Sequence, residues 1–155
     1  MGVNRVADYF IYKSQYDSNI NFTITPLKLQ KLLYYSQAWT LALTGESLFE
    51  DDIQAWVHGP VIRSIYDKYK KYGYNQIRKE IKSESNFDSR INAILEFVWS
   101  SYGHMDAKEL EKQTHSEEPW ITTRGDLPPT VSSNKVIKHC LMESYYKNEY
   151  IDFEE

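Results

Sequence analysis

The chain has 155 residues, of which 41% are hydrophobic, 26% charged and 15% aromatic, and its formal net charge is −4. This length suits one domain whose core is large enough to fold without a metal or a disulfide. The negative charge argues against a nucleic-acid-binding protein. The single cysteine, Cys140, is typical of a reducing compartment, and no stretch approaches the roughly 20 apolar residues that span a bilayer. We therefore expect a soluble, cytoplasmic protein with no membrane segment.

The first two helices carry clear sequence signals. Hydrophobic periodicity predicts a helix over Val3–Tyr16. The second helix is predicted to begin with a cap from Thr25, with Pro26 at its first position, and to end before Gly45. It is apolar on nearly every side, so we expect it to be the buried centre of the fold. Its plainly polar residues are Lys28, Gln30, Lys31, Gln37 and Thr40.

A small β element is predicted after the second helix. Residues 48–57 are the strand candidate, because apolar residues at 53, 55 and 57 alternate with Gln54, Trp56 and His58. Gly59 and Pro60 are expected to end the strand, and Pro60 to open a third helix that closes at Gly73. A lone strand would leave its main chain unpaired, so we expect a second strand near residues 76–81 to pair with it.

Two more helices are predicted in the second half of the chain. Asp88 is the expected cap of a fourth helix, which Gly103 ends. Asp106 and Glu109 have the spacing of a capping box at the start of a fifth helix. A short turn is expected to lead from that helix to Arg124.

The chain is predicted to end in a helix and a tail. Ser132 or Ser133 is the expected cap of the last helix, which would carry Ile137 on its apolar face. The acidic residues 149–155 are expected to form a flexible tail behind a domain of residues 1–148. The sequence thus predicts a mainly α, single compact domain of about six helices around a buried central helix, with a small two-stranded β element.

No catalytic or metal-binding pattern is present. The four histidines, His58, His104, His115 and His139, have no partner His or Cys at metal-binding spacing. Ser116 follows His115, but no nucleophile elbow surrounds it. A phosphate loop and a dinucleotide fingerprint are also missing from the sequence. We expect neither an enzyme nor a cofactor, although a hydrolase or transferase that uses His58 or His115 stays open as an alternative.

The charge is unevenly distributed. Residues 61–82 contain seven basic and two acidic side chains, with tyrosines between them, whereas residues 143–155 contain five acidic side chains and one lysine. The basic stretch favours a solvated face with cations at helix ends. It also fits a docking surface for an acidic protein partner, or a nucleic-acid surface with interleaved tyrosines.

Three segments resemble motifs of one known family. The first motif is residues 25–39, which begin with Thr-Pro-Leu-Lys-Leu-Gln-Lys. The second motif is residues 54–61, which contain Trp-Val-His-Gly-Pro. The third motif is residues 115–120, a His-x-x-x-Pro-Trp element. Together and in this order they resemble the Panacea domain, also called the SocA-like domain. The resemblance implies a small, mainly helical domain of bacteria and their phages, with no enzymatic activity and no cofactor.

The resemblance also implies a function. Members of this family are mostly antitoxins that neutralise, by direct binding, a protein toxin encoded by an adjacent gene, and one delivers its toxin to a ClpXP-type protease. We therefore expect an antitoxin; a protease adaptor, or a phage or mobile-element inhibitor of a host protein, is the alternative. Because the second helix is expected to be buried, the partner should contact the surrounding turns and the basic third helix. The candidate contact residues are Trp56, His58, Arg63, Tyr66, Lys70, His115 and Trp120.

Overall fold

The computed structural model describes residues 2–16, 19–81 and 86–154. In these ranges the chain forms seven α-helices and one two-stranded antiparallel sheet, which confirms the predicted mainly α-helical class. The elements in chain order are α1 (Val3–Tyr16), α2 (Pro26–Thr44), β1 (Gln54–Trp56), β2 (Gly59–Val61), α3 (Arg63–Tyr69), α4 (Ser89–Tyr102), α5 (Ala107–His115), α6 (Glu118–Arg124) and α7 (His139–Glu154). None of the described helices is both long and apolar enough to cross a bilayer.

Helix α2 is the centre of the fold, as predicted. The hydroxyl of Thr25 accepts a hydrogen bond from the main-chain N–H of Lys28, and Gly45, with a φ of 77°, closes the helix by donating its N–H to the Leu41 carbonyl. Every residue from 28 to 41 is buried, and α1, α3, α4, α5 and α7 all pack against this helix. Because its polar side chains are buried with the apolar ones, each needs a partner inside the protein.

The predicted helix starts are confirmed at α1, α4 and α5. Helix α1 has the predicted bounds, while its predicted end signal at Asp17 and Ser18 lies outside the described residues. Asp88 caps α4 with its side chain, and Asp106 and Glu109 form the reciprocal capping box at α5. These are local signals, in which a side chain bonds the main chain three residues away.

The β element is smaller than predicted and pairs differently. Of residues 48–57, only residues 54–56 form a strand, and their partner is β2 rather than the segment 76–81. The prediction of a strand at 76–81 was wrong. That segment instead runs beside the chain before α2, where the N–H of Ile77 donates to the carbonyl of Ile24 at 2.7 Å.

The prediction that Pro60 opens the third helix was also wrong. Pro60 lies opposite Ala55 in the sheet, and α3 begins at Arg63. Proline has no N–H to donate but keeps its carbonyl, so it fits the edge strand of a small sheet. Here that carbonyl accepts a hydrogen bond from Nζ of Lys31 in α2, at 3.1 Å.

The last helix begins later than predicted. The expected cap at Ser132 or Ser133 was wrong, because α7 begins at His139. Residues 135–137 run beside residues 53–55 instead: Val136 forms an isolated bridge with Gln54, and the N–H of Ala55 donates to the carbonyl of Lys135. This arrangement buries the side chain of residue 137 without a helix. Helix α7 continues to residue 154, so the main chain of the acidic tail is helical as far as it is described, and the domain boundary at residue 148 stays a prediction.

A buried network of tyrosine hydroxyls joins α2 to α6 and α7. Oε1 of Glu117 accepts hydrogen bonds from the hydroxyls of Tyr35 and Tyr146, at 2.7 and 2.8 Å. The hydroxyls of Tyr34 and Tyr146 are 3.0 Å apart. Burial raises the pKa of Glu117, while the two donated bonds favour its charged form. Because Glu117 is the residue before α6, the network positions the start of that helix relative to α2.

Candidate functional site

The hairpin reverses in a two-residue turn, Val57 and His58, followed by Gly59. Gly59 has a φ of 108°, a conformation that L side chains rarely adopt. A Cβ at this position would lie 2.7 Å from Cε of Lys31 and 3.0 Å from Oγ1 of Thr114. Glycine is therefore needed here for its conformation and for the close approach of the hairpin to α2 and α5.

Two buried polar residues of α2 hold strand β2 and the residue after it. The side-chain amide of Gln30 donates from Nε2 to the carbonyl of Ile62, at 3.1 Å, and its Oε1 accepts from the N–H of Ile62, at 2.8 Å. Nζ of Lys31 donates to the carbonyl of Pro60. These bonds satisfy polar groups that would be costly to bury alone. The polar positions of the first motif thus bind the main chain of the second motif.

Lys31 and Lys28 are buried lysines. Burial lowers the pKa of Lys31 to about 7, with Glu111 acting in the opposite direction, and lowers the pKa of Lys28 to about 8. Nζ of Lys28 donates to the carbonyls of Asn21 and Gly103, at 2.9 and 2.6 Å. Lys31 fixes strand β2 to α2, and Lys28 fixes two connecting segments to it, but a buried ammonium group carries a desolvation cost.

Trp120 of the third motif and Arg124, the last residue of α6, hold strand β1. Nε1 of Trp120 donates to the carbonyl of Trp56 at 2.8 Å, and Nη1 of Arg124 donates to the carbonyl of Ala55 at 3.0 Å. The rings of Trp120 and His115 are stacked, with centroids 4.0 Å apart and planes 20° apart. Burial lowers the pKa of His115 below its ordinary value, with Glu111 acting in the opposite direction. Helices α2 and α6 therefore hold the two strands of the same hairpin.

A groove of about 990 Å³ opens beside this hairpin. Its walls come from the start of α2, the hairpin turn, α3 with the turn that follows it, and the extended segment before α7. The lining residues are Pro26, Leu27, Gln30, Trp56, Val57, His58, Val61, Tyr66, Lys70, Gly73, Tyr74, Ser132, Ser133 and Asn134. Three regions of the sequence, residues 26–30, 56–74 and 132–134, thus form one concave surface.

Aromatic rings dominate one wall of the groove. The ring centroids of Trp56 and Tyr66 are 4.9 Å apart, and the guanidinium of Arg63 lies 5.7 Å from the Trp56 ring. The indole Nε1 of Trp56 donates to Oε1 of Gln54 at 2.8 Å, which orients the ring. Tyr66 is 41% exposed and Tyr74 is 93% exposed. Exposed aromatic rings beside cations are typical of surfaces that bind other proteins.

The candidate contact residues fall into two groups. Those that line the groove are Trp56, His58, Tyr66 and Lys70, and Arg63 borders it above the Trp56 ring. His115 and Trp120 lie behind β1, where they position the hairpin. The stacking of their rings and the hydrogen bond of Trp120 give both residues a packing role in the motif.

Some residues that line the groove were not predicted from the sequence. Tyr74 belongs to the stretch of basic residues and tyrosines between 61 and 82. That pattern could have indicated Tyr74 as a candidate contact residue. Residues 132–134 carry no motif, and they reach the groove because the next residues pair with β1. Pro26 and Leu27 were assigned to a buried helix, yet the first turn of α2 is only partly covered.

The basic stretch does not form one continuous face. Lys68 and Lys79 bind side chains of α1, at 3.0 and 2.9 Å, whereas Lys70 lines the groove. Lys82 lies outside the described residues. The cations of this stretch therefore have different surroundings, and those near the groove are separate from those that bind α1.

The alternative chemistries receive no geometric support. The hydroxyl of Ser116 donates to the carbonyl of Gln113 at 2.7 Å, so it is not directed at His115. Nδ1 of His58 lies 3.1 Å from Oε1 of Glu111, in an exposed pair. In the described ranges, no group of three or more His, Cys, Asp or Glu residues is arranged to hold a metal ion.

Comparison with known proteins matches residues 29–121 to the family described as Antitoxin SocA-like, Panacea domain. The chain is 32% identical over 113 residues to Antitoxin SocA of Caulobacter vibrioides (strain NA1000 / CB15N). That match covers 65% of this chain and 60% of the relative, so the chain spans about three fifths of the relative's length. No solved structure matches the chain. The family match contains most of α2, the whole hairpin and Trp120.

Proposed function

The chain belongs to the Panacea family of SocA-like antitoxins, and on this basis we propose that it neutralises a protein toxin by binding it directly. The toxin is encoded by the adjacent gene of a bacterial or phage toxin–antitoxin pair. The family membership and the name of the Caulobacter relative support a toxin partner. The exposed aromatic groove supports a direct contact rather than an indirect effect.

The observation that carries this proposal is the convergence of three motifs on one hairpin. Side chains of α2 bind β2, and side chains of α6 bind β1. The hairpin presents Trp56 beside Tyr66, in the wall of the groove. A contact surface that is rigid before binding loses less conformational entropy when the partner docks. The motifs therefore position a binding surface as well as fill a core.

We further propose that the protein acts in the cytoplasm, without catalysis and without a cofactor. The hydroxyl of Ser116 and the buried ammonium groups of α2 make hydrogen bonds to the main chain, which suits structural roles. Cys140 is free and exposed, which suits a reducing compartment.

Co-expression tests the proposal. The neighbouring gene, expressed alone in a heterologous bacterium, should arrest growth, and co-expression of this protein should restore growth and yield a complex of the two chains. A harmless neighbour, or one that stays lethal in the presence of this protein, would contradict the proposal. The amount of toxin in the rescued cells distinguishes two ways in which this protein could neutralise the toxin. A constant amount indicates occlusion, and a falling amount indicates delivery to a ClpXP-type protease.

A pair of exposed tyrosines offers a matched test of the contact surface. Tyr66→Ala removes a ring from the groove, whereas Tyr16→Ala removes one from the end of α1. Aromatic residues at the centre of an interface contribute about 2 kcal/mol or more to binding. We expect Tyr66→Ala to lose rescue at low expression and Tyr16→Ala to keep it. Equal rescue by both variants would place the contact elsewhere.

A further inference from the structure

We propose that the groove binds an extended, acidic segment of the toxin, whose carboxylates contact Lys70 and Arg63 and whose apolar side chains pack against Trp56 and Tyr66. This inference rests on the proposed function and adds the chemistry of the partner segment to it.

The groove carries a positive charge. Its lining contains one lysine and one histidine and, among the described residues, no carboxylate. Residues 63–72, which form α3 and the turn after it, contain four basic residues and one acidic residue, while the whole chain has a net charge of −4. A local positive surface on an acidic protein attracts anionic partners to that surface and repels them elsewhere.

The cations beside the groove are available to a partner. The side chains of Arg63 and Lys70 are 64% and 58% exposed, and both lie near the same carboxylate, Asp67, at 3.5 and 3.6 Å. Exposed ion pairs of this kind are weak and are screened by salt. A carboxylate of the toxin, approaching in a partly desolvated interface, can therefore compete with Asp67 for both cations.

The extended shape follows from the wall formed by residues 132–134. The main-chain N–H and C=O groups of Ser132 and Asn134 make no hydrogen bond to the described part of the chain. The same segment continues into the bridge between Val136 and Gln54, so it already has the direction of a sheet edge. An exposed edge with unpaired main-chain groups is a template for an added strand.

The rings of Trp56 and Tyr66 line the same groove as this edge and supply the apolar contact. A groove of about 990 Å³ is at the upper end of the range of roughly 300–1,000 Å³ that holds a single small molecule. It suits several side chains of a peptide segment. Alternating side chains of an extended segment point to opposite sides, so carboxylates and apolar groups can meet different walls.

The experiment measures binding of the purified toxin to three charge variants. Arg63→Glu and Lys70→Glu, alone and together, reverse the charge of the groove. Arg90→Glu is the matched control: Nη2 of Arg90 donates to the carbonyl of Leu43. Leu27, which lines the groove, is 16 residues from Leu43 in the same helix, and a rise of about 1.5 Å per residue separates them by about 24 Å.

We expect each groove variant to weaken binding about tenfold to a hundredfold, the control to change it less than about threefold, and the wild-type affinity to fall with added salt. The variants change exposed residues, so their melting temperatures should equal that of the wild type. An array of overlapping synthetic peptides from the toxin should capture the protein at an acidic segment. Replacing the Asp and Glu of that peptide by Asn and Gln should abolish capture without any change in this chain.

The outcomes of this experiment distinguish a failure of the inference about the groove from a failure of the proposed antitoxin function. If the toxin binds the wild type and the groove variants equally, the inference is overturned and the proposed function stands. If the wild type does not bind the toxin, the proposed function fails and the inference fails with it. If the groove variants lose binding to an RNA oligonucleotide while the acidic peptides show none, the groove is a nucleic-acid surface and the inference is wrong.

Discussion

The indole Nε1 of Trp120 donates a hydrogen bond to the main-chain oxygen of Trp56, 2.8 Å away, and so joins the third motif to the exposed hairpin. Trp120→Phe keeps an aromatic ring but removes the donor. We expect urea unfolding to show a loss of about 1–3 kcal/mol, because the carbonyl of Trp56 loses its partner. Ile121→Ala, at the exposed neighbouring position, is the control and should change stability by about 0.5 kcal/mol or less. Equal losses would show that the bond contributes nothing.

Gly59 is required by both its conformation and its surroundings. Gly59→Ala should cost about 3 kcal/mol or more, because it combines a strained φ with a Cβ 2.7 Å from Lys31. Gly45→Ala separates the two causes, since Gly45 also has a positive φ but its Cβ would meet only a contact of 3.8 Å. That variant should cost about 1–2 kcal/mol in the same denaturant unfolding experiment. A smaller cost at Gly59 than at Gly45 would mean that the hairpin does not approach α2 closely.

The buried ammonium group of Lys31 makes stability depend on pH. Its pKa is about 7 in the folded protein and 10.5 when unperturbed. Between these values the unfolded chain binds a proton that the folded protein does not, so the free energy of unfolding rises with pH by about 1.4 kcal/mol per unit. Below about pH 7 both states are protonated and the penalty is constant.

The comparison with Lys31→Met isolates this effect, because Lys28 titrates in both proteins and its contribution cancels. The difference in unfolding free energy, wild type minus variant, should increase between about pH 7 and pH 9. Urea unfolding at several pH values measures it. A difference that stays flat over this range would mean that Lys31 remains charged in the folded protein.

Tyr146 joins two partners in the buried network, because its hydroxyl donates to Oε1 of Glu117 and lies 3.0 Å from the hydroxyl of Tyr34. Tyr146→Phe should destabilise the protein by about 1–3 kcal/mol, since it leaves buried polar groups with fewer partners. Tyr12→Phe is the control, because the hydroxyl of Tyr12 makes no bond to the described residues, and it should be within about 0.5 kcal/mol of the wild type. Thermal or urea unfolding of the two variants decides between a bonded network and simple packing.

The parts of the fold that the sequence predicted correctly depend on local signals. The cap at Thr25, the glycine after α2 and the capping box at Asp106 each involve residues within one turn of each other. The pattern of apolar residues in α2 correctly predicted that this helix is buried. These features are visible in a single sequence because the interacting groups are neighbours along the chain.

The errors concern features that depend on distant residues. Gly59 and Pro60 were interpreted as the end of a strand, but buried side chains of α2 hold them in β2. Residues 132–138 were assigned to a helix, but residues 135–137 pair with residues 53–55, and residue 137 is buried there. Neither partner is close in sequence, so no local pattern could indicate the pairing.

The candidate site was predicted in part for the same reason. Trp56 and His58 lie next to a recognisable turn, and Tyr66 and Lys70 fall within the predicted third helix, so the sequence indicated all four as candidate contacts. Their assembly into one groove depends on the tertiary packing of α3 beside the hairpin. His115 and Trp120 were correctly grouped as a motif, but only the structure shows that they lie behind β1.

Hydrogen–deuterium exchange of the protein, alone and in complex with its toxin, tests most directly whether the groove is the contact surface. Amides that become buried at an interface, or that add to a sheet edge, exchange more slowly in the complex. The account predicts new protection in residues 54–61, 63–74 and 130–136, with little change in α1 and α4. Protection confined to α1 and α4, with the hairpin and residues 130–136 unchanged, would contradict it.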